Sequence, residues 1–362
     1  MATEVKYGYE TDIVPCPGET LREVLEDQEM SQVELAMRLG RSEKFVSQLI
    51  GGKASLGTRA AIDLERVLGV PASFWLNSER MYREWLGKRE DEALLGKSEE
   101  WLKRFPVKAM VKNGWMEAQP TPAGMVRELL EFLGAATPDT WDAYWRSPAV
   151  AAFRKSPAFD ANPDSLAAWL RQGERLGHQC KCTAYNRRQF LVALRDVRAH
   201  TTRTPDEYVP AMIKACADAG VAVVLVKELP GIRCSAATRW LGQDRALIQL
   251  CLRYRTDDQL WFSFFHEAAH VVLHGKREAF IEWNGDSEEE REANRWAADF
   301  LVPVAEYGPF VEGRDFSRGS ICAFAERVGV APGVVVGRLQ HERLLPWRTR
   351  LNDMKVHLEW AE

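Results

Sequence analysis

The sequence has no long apolar run. Its longest purely aliphatic stretch, residues 221–226, spans six residues, against the ~20 that a membrane-spanning helix needs. The opening MATEVKYGYETD has no charged-then-apolar signal layout. Both absences point to a cytoplasmic chain with no membrane contact. Cysteine is sparse and odd in number, seven in 362 residues. That fits reduced thiols better than a disulfide framework. A large excess of one charge is also missing. The formal net charge is −4, so any nucleic-acid contact must come from a local patch rather than from the whole chain. No internal repeat or low-complexity tract is present. Hydrophobic residues make up 46% and charged residues 28%, which excludes a disordered or fibrous chain and supplies a sizeable core. Thirteen tryptophans offer core anchors. At roughly 150 residues per domain the length predicts two to three domains.

Residues 1–17 read as a short polar lead-in. A helix is predicted from Thr20, where Thr20 and Glu23 form a capping box. Ser31 with Glu34 forms a second capping box, and Ser42 is a third N-cap. Helices of about ten residues follow up to about residue 90. Residues 95–135 are mixed, with turns at Gly114, Pro120, Pro122 and Gly124. Residues 138–200 hold short Trp- and Ala-rich helices broken at Pro148, Pro157 and Pro163. Pro205 opens a helix that Gly220 ends. Residues 221–226 and 246–252 read as two buried strands joined by a bend at Pro230 and Gly231. Helices are predicted over 257–274 and 287–301, with two more between 316 and 343.

The first functional pattern lies in residues 20–68. Gln32, Ala36, Gly40, Val46 and Leu49 are spaced by 4, 4, 6 and 3 residues, a helix-turn-helix rhythm. Ala36 is small where two helices cross, and Gly40 suits a turn with positive φ. Val46 and Leu49 anchor the second helix. Ser42 would cap that helix, whose first residues face a major groove. Exposed candidates there include Glu43, Lys44, Ser47 and Gln48; Gln bonds adenine edges and Lys bonds guanine or phosphate. Arg38, Arg41, Lys44, Lys53 and Arg59 stand against the single acid Glu43, whereas residues 19–34 carry six acids against Arg22. That polarity suits phosphate contact. The DNA-contacting candidates are Gln32, Arg41, Ser42, Lys44, Ser47, Gln48 and Lys53. The bland alternative is a small helical bundle that uses Ala and Gly for close packing. The basic patch is modest, so a homodimer on an inverted-repeat operator is expected.

This segment resembles the lambda-repressor-like (XRE) helix-turn-helix family, most specifically at SEKFVSQLIGGK. From PGETLREVLEDQ through LERVLGVPASFWLNSERMYRE, about residues 17–87, it resembles the HigA class of antitoxins. The resemblance implies repression of the protein's own operon and neutralisation of a small toxin protein. Neither follows from the spacing.

The second pattern is His266-Glu267-Ala268-Ala269-His270, an HExxH motif. Positions i and i+4 share a helix face, so both imidazoles can reach one metal ion. Glu267 can then address a water polarised by that ion. Trp261, Phe262, Phe264 and Phe265 precede the motif, and Val271, Val272 and Leu273 follow it. Polar residues inside so apolar a helix are costly without partners. A third ligand is expected from helix 287–301. Its apolar face is Ala293, Trp296, Ala297, Phe300 and Leu301. Glu289 and Glu290 share that face, while Glu288 and Glu292 point away. Asn294, one turn beyond Glu290, is placed to hydrogen-bond a ligand. The competing reading makes Glu290 the partner of Ser287 in a capping box.

HEAAHVVLHG followed by EREANRWAADFLVP resembles the ImmA/IrrE family of zinc metallopeptidases, over roughly residues 205–345. The resemblance assigns His266, His270 and Glu290 to Zn2+, Glu267 to catalysis and Asn294 to a supporting position. Trp296 departs from the usual Phe. His274 continues the imidazole face but looks non-ligating. His178, Cys180 and Cys182 form an incomplete ligand set and read as ordinary residues. Cys234 and Cys251 read as buried thiols. Residues 317–343 read as a helical cap on the peptidase.

The expected fold is mainly α with a small α+β part. Residues 1–90 form a helix-turn-helix DNA-binding domain and 91–204 a helical spacer whose role the sequence does not give. Residues 205–362 form a zincin-like metallopeptidase domain. The expected function is a double-stranded-DNA-binding regulator, an antitoxin type, that carries a zinc endopeptidase acting on a protein substrate. The rival is a non-enzymatic antitoxin whose peptidase-like fold is a partner-binding or sensing scaffold. An intact Glu267 favours the enzyme, since a scaffold would not need it.

Overall fold

The computed structural model describes residues 14–146, 162–274, 280–281 and 287–360. The breaks expected at Pro148 and Pro157, and most of the lead-in, lie outside these residues. The chain divides into two compact units, Met1–Lys97 and Ser98–Glu362. Both are mainly helical, and the second adds a small sheet. Among the described residues no single helix is long and apolar enough to cross a membrane.

The first unit holds helices α1 (Pro17–Asp27), α2 (Gln32–Leu39), α3 (Glu43–Ile50), α4 (Thr58–Leu68) and α5 (Ala72–Leu95). Helix α1 starts three residues earlier than expected. Pro17 occupies its first position, where the missing N–H has no intrahelical partner to lose. Thr20 therefore lies inside the helix and caps nothing. Ser31 and Ser42 do cap, accepting from the backbone N–H groups of Glu34 and Phe45. The Glu34 carboxylate pairs with Arg38 instead of closing a capping box on Ser31. Gly40 ends α2 at φ +62°, a conformation that disfavours a Cβ. Leu21, Leu35, Val46, Leu49, Leu64 and Trp75 share one core. Gly18 permits the closest helix approach: a Cβ there would clash with the carbonyl oxygens of Leu49 and Ile50.

The second unit is built on a sheet of order β1-β3-β2-β4. Strand β1 (Val221–Leu225) pairs parallel with β3 (Ala246–Leu250), with Val223 opposite Ile248. Strands β2 (Ala236–Trp240) and β4 (Phe280–Ile281) were not expected. The segment between β1 and β3 is thus a strand, not a simple bend. Strand β2 runs back antiparallel to β3, and this lets β3 return parallel to β1. Its sequence, AATRW, carries a charge and few branched residues, so it reads poorly as a strand.

Helices cover both faces of β3. On one side lies the helix Pro163–Gln179, here α10 after four shorter helices between Glu99 and Arg146. Fully buried Trp169 of α10 donates its indole N–H to Val226 O. Gln249 donates to Trp169 O at 2.7 Å. On the other side Ile248 and Leu250 join the main core with the long helix Asp257–Leu273. That core also takes Phe190, Leu194 and Val197 from Arg187–Ala199 and Tyr208 and Met212 from Pro205–Ala217. Helices Arg187–Ala199 and Pro205–Ala217 are α11 and α12, and Asp257–Leu273 is α13. Arg198 of α11 donates to Leu301 O and Val328 O. The boundary expected at residue 204 is therefore absent: the chain before it shares core and hydrogen bonds with the chain after it. Helix Glu288–Leu301 (α14) packs along α13. Val304–Glu312 (α15), Arg318–Val328 (α16) and Pro332–His341 (α17) complete the unit, with Phe324, Val335 and Leu339 in its core.

Candidate metal centre

Helix α13 is enclosed on nearly every side, and almost all of its residues are buried. Trp261, Phe264 and Phe265 fix it in the core. This packing sets the direction of His266 and His270, whose ring centroids are 4.8 Å apart. Their Nε2 atoms are 3.0 Å apart. Glu290 of α14 meets both: Oε2 lies 3.2 Å from His266 Nε2 and Oε1 lies 3.4 Å from His270 Nε2. Among the described residues this is the one group of three His, Cys, Asp or Glu side chains whose ligand atoms converge, all within 4.8 Å. Donor atoms about 2.0–2.1 Å from a tetrahedral ion would lie about 3.4 Å from one another. Two nitrogens and a carboxylate at these separations fit one divalent ion.

The protonation states suit ligation. Burial pushes the His270 imidazolium down to about 4, which keeps the ring neutral near pH 7. Burial alone would raise the Glu290 carboxyl, but its close contacts with the His266 and His270 rings outweigh it and hold the group at about 2. A neutral imidazole and an ionised carboxylate are the forms that bind a metal.

The competition over Glu290 resolves by splitting the residue. Its backbone N–H donates to the Ser287 hydroxyl at 3.2 Å, capping α14. Its carboxylate faces the imidazoles. Glu289, expected on the same face, is exposed; one residue of helical rotation carries it to the solvent side. Asn294 Oδ1 lies 3.0 Å from His266 Nδ1. An amide oxygen only accepts, so it fixes the proton on Nδ1 and leaves the Nε2 lone pair toward Glu290. Glu267 follows His266 on α13 and is fully buried. Its carbonyl accepts from Thr238 of β2, which ties the motif to the sheet.

His274, expected to be non-ligating, lies behind His270. The two Nδ1 atoms are 2.8 Å apart, and His274 Nε2 is 3.3 Å from Glu292 Oε2. Glu292, expected to be merely solvated, thus closes a Glu–His–His relay. The spacing of four between His270 and His274 was the visible signal; Glu292 had none, because its partner belongs to another helix. A cleft of about 590 Å³ opens beside the centre, lined by His266 and Asn294 among others.

The DNA candidates lie in the first unit. Gln32, Arg41, Ser42, Lys44, Ser47 and Lys53 are exposed and Gln48 is half-buried. The Arg41 guanidinium sits over the Phe45 ring at 5.6 Å. Cys234 and Cys251 are buried thiols, and Cys180 and Cys182 are half-buried and free.

Residues 248–340 match the family model of the IrrE N-terminal-like domain, Peptidase_M78. The match spans α13, α14 and α17, and so contains the whole His-His-Glu group. The chain therefore carries an IrrE-like domain in its second unit. No curated protein matches the sequence. One solved structure, from Nostoc punctiforme, is named for an antidote role in a plasmid maintenance system. It is 28% identical over 21% of this chain and 84% of that chain, with a TM-score of 0.21. That score establishes no shared architecture.

Proposed function

We propose that this chain is a DNA-binding regulator whose second unit is a zinc-dependent endopeptidase. One observation carries the enzymatic part: His266, His270 and Glu290 converge, with Glu267 next in the chain. Zinc bound there supplies Lewis acidity to a substrate carbonyl and to a water molecule. His266 and His270 offer neutral nitrogens and Glu290 a carboxylate, so the set has the ligand types of catalytic zinc sites. Asn294 holds His266 in the required tautomer. Glu267 takes the proton of the attacking water and passes it to the leaving amine. The surrounding aromatic core excludes bulk water from these groups.

The DNA-binding part rests on the capped α2–α3 pair, with Gly40 in its turn and basic side chains exposed on α3 and beyond. Gln32, Arg41, Ser42, Lys44, Ser47, Gln48 and Lys53 contact an inverted-repeat operator as a homodimer. The HigA-like resemblance of residues 17–87 adds a small toxin protein as a candidate partner.

The test compares wild type with Glu267→Gln. Both are incubated with zinc, promoter or single-stranded DNA, and the products of adjacent genes, then measured by intact mass. Wild type should cut a protein, either a neighbour's product or its own residues 88–135. Glu267→Gln should bind zinc yet cut about 10²–10⁴-fold more slowly. Equal cutting by both, or none by either, overturns the peptidase reading. For DNA, Lys44→Ala and Gln48→Ala should each remove about 1–3 kcal/mol of operator preference. An equal affinity of wild type for promoter and random duplex removes the repressor.

A further inference from the structure

The cleft beside the metal centre has a charge that its own walls do not balance. Its lining holds Asp258, Lys355, Arg338, Glu342 and Arg233. Asp258 and Lys355 pair at 2.7 Å, and Lys355 also donates to Gln340. Arg338 pairs with Glu342 at 3.0 Å and with Asp299 at 3.1 Å, and it donates to Ala298 O and Val302 O. Those four charges are structural. They pin α17 and the C-terminal segment to α13 and α14. Arg233 is different: it is exposed and has no ion pair among the described residues. Its guanidinium is the net positive charge of the cleft.

The remaining wall is apolar and aromatic. The Phe262 ring stands between the His266 and His341 rings, at 6.2 and 5.9 Å. Tyr254 is 52% and Trp347 is 59% exposed on the rim, an unusual investment of large aromatic surface in water. The volume, about 590 Å³, lies within the about 300–1,000 Å³ of clefts that enclose ligands. A wholly polar or basic peptide would meet an apolar wall and one repelling charge.

We infer that the cleft selects a polypeptide segment carrying a bulky apolar side chain next to an acidic residue. The apolar side chain lies against Phe262 and the aromatic rim, and the carboxylate pairs with Arg233. This rests on the peptidase reading only for the bond that is cut, not for the binding itself.

The test uses full-length, zinc-loaded Glu267→Gln and fluorescein-labelled octapeptides with Phe-Asp, Phe-Lys or Ala-Asp at the centre, read by anisotropy. The Phe-Asp peptide should bind about three- to tenfold tighter than Phe-Lys. It should bind about ten- to a hundredfold tighter than Ala-Asp, because a buried phenyl group is worth that much. Adding Arg233→Glu should reverse the order of the Asp and Lys peptides while zinc content stays the same. Arg233→Gln should merely abolish the discrimination. Equal affinity for all three peptides, or binding of none, overturns the inference. Wild type separates the two readings. Tight binding of Phe-Asp without cleavage leaves the inference standing and the hydrolase fallen. Cleavage with no preference between Asp and Lys does the reverse.

Discussion

The two units place their polar chemistry in opposite environments. In the first, the DNA candidates stand in water around a core of Leu21, Leu35, Val46 and Leu64. Their charges stay hydrated, so changing them leaves that core intact. In the second, His266, Glu267, His270 and Glu290 are all buried. Buried polar groups are tolerable only when each finds a partner. Asn294 partners His266, His274 partners His270, Ser287 accepts from the Glu290 backbone and Thr238 donates to the Glu267 carbonyl. In the first unit, function and stability can therefore be changed separately. In the second they are linked, because the groups that would do the chemistry are also part of the interior.

The largest expected effect tests that separation directly. Replacing His266 and His270 together by alanine should lower zinc from about one per chain to none, by elemental analysis. Zinc in thousandfold excess over its dissociation constant adds about 4 kcal/mol to the state that binds it. The double variant should lose this in calorimetry. Promoter affinity should not change. A fall in DNA affinity alongside the zinc would break the comparison, since the two chemistries would then depend on each other.

Asp257 sharpens it next. This residue opens α13 and is 2% exposed. Burial raises its carboxyl to about 6 from an ordinary 3.8, against the lowering effect of the Val356 backbone N–H. The folded state thus holds this proton more tightly than the unfolded chain does. The contribution is present in full below pH 3.8 and is lost as pH rises through about 6. Asp257→Asn keeps an oxygen for Val356 and removes the titration. It should be neutral at pH 4 and stabilising at pH 8, by about 3 kcal/mol at most. Urea unfolding at the two pH values decides; an equal change at both would assign the effect to packing.

A smaller effect is expected at His274. Removing a side chain that orients a ligand typically weakens metal binding by about 10–100-fold. His274→Ala should do so in a chelator competition, and the metal-free protein should also lose some stability, because buried His270 is left without that partner. Glu292→Gln should weaken binding less, because Glu292 acts through His274. An unchanged zinc affinity in His274→Ala would make the 2.8 Å contact with His270 a packing accident.

Local patterns were legible in the sequence; contacts between distant segments were not. The caps at Ser31 and Ser42, the turn at Gly40 and the paired imidazoles depend on residues within a few positions of each other. Glu290 was legible because helical rotation and a family resemblance agreed on it. Strand β2 was missed because its register with β3 comes from the sheet, not from AATRW itself. The start of α1 was misplaced because Thr20 and Glu23 were read as a capping box and residue 17 as lead-in, whereas Pro17 occupies the first helical position. The spacer at 91–204 looked separate because nothing local reveals that Trp169 lies against Val226 or that Gln249 reaches back to Trp169. Arg233 could not be singled out at all. Its significance is a charge sum over residues scattered from 233 to 355.

The smallest expected effect lies at the boundary between the two kinds of site. Ser42 belongs to both descriptions in the first unit: it caps α3, accepting from Phe45 N–H at 3.2 Å, and it is exposed among the DNA candidates. Its oxygen is used as an acceptor, yet its hydroxyl hydrogen can still donate to a phosphate. Ser42→Ala removes both abilities and should cost about 1 kcal/mol of stability. It should weaken DNA binding by a few fold, through the lost donor. Ser42→Asp separates the roles. Aspartate caps as well as serine and favours the positive end of the helix, so stability should match or exceed that of wild type. Its charge would face phosphate, so promoter affinity should fall further than in Ser42→Ala, and more steeply at low salt. Unfolding curves and anisotropy titrations on the same two variants supply both readouts. If Ser42→Asp binds the promoter as wild type does, Ser42 serves only the helix, and the surface that meets DNA begins at Lys44.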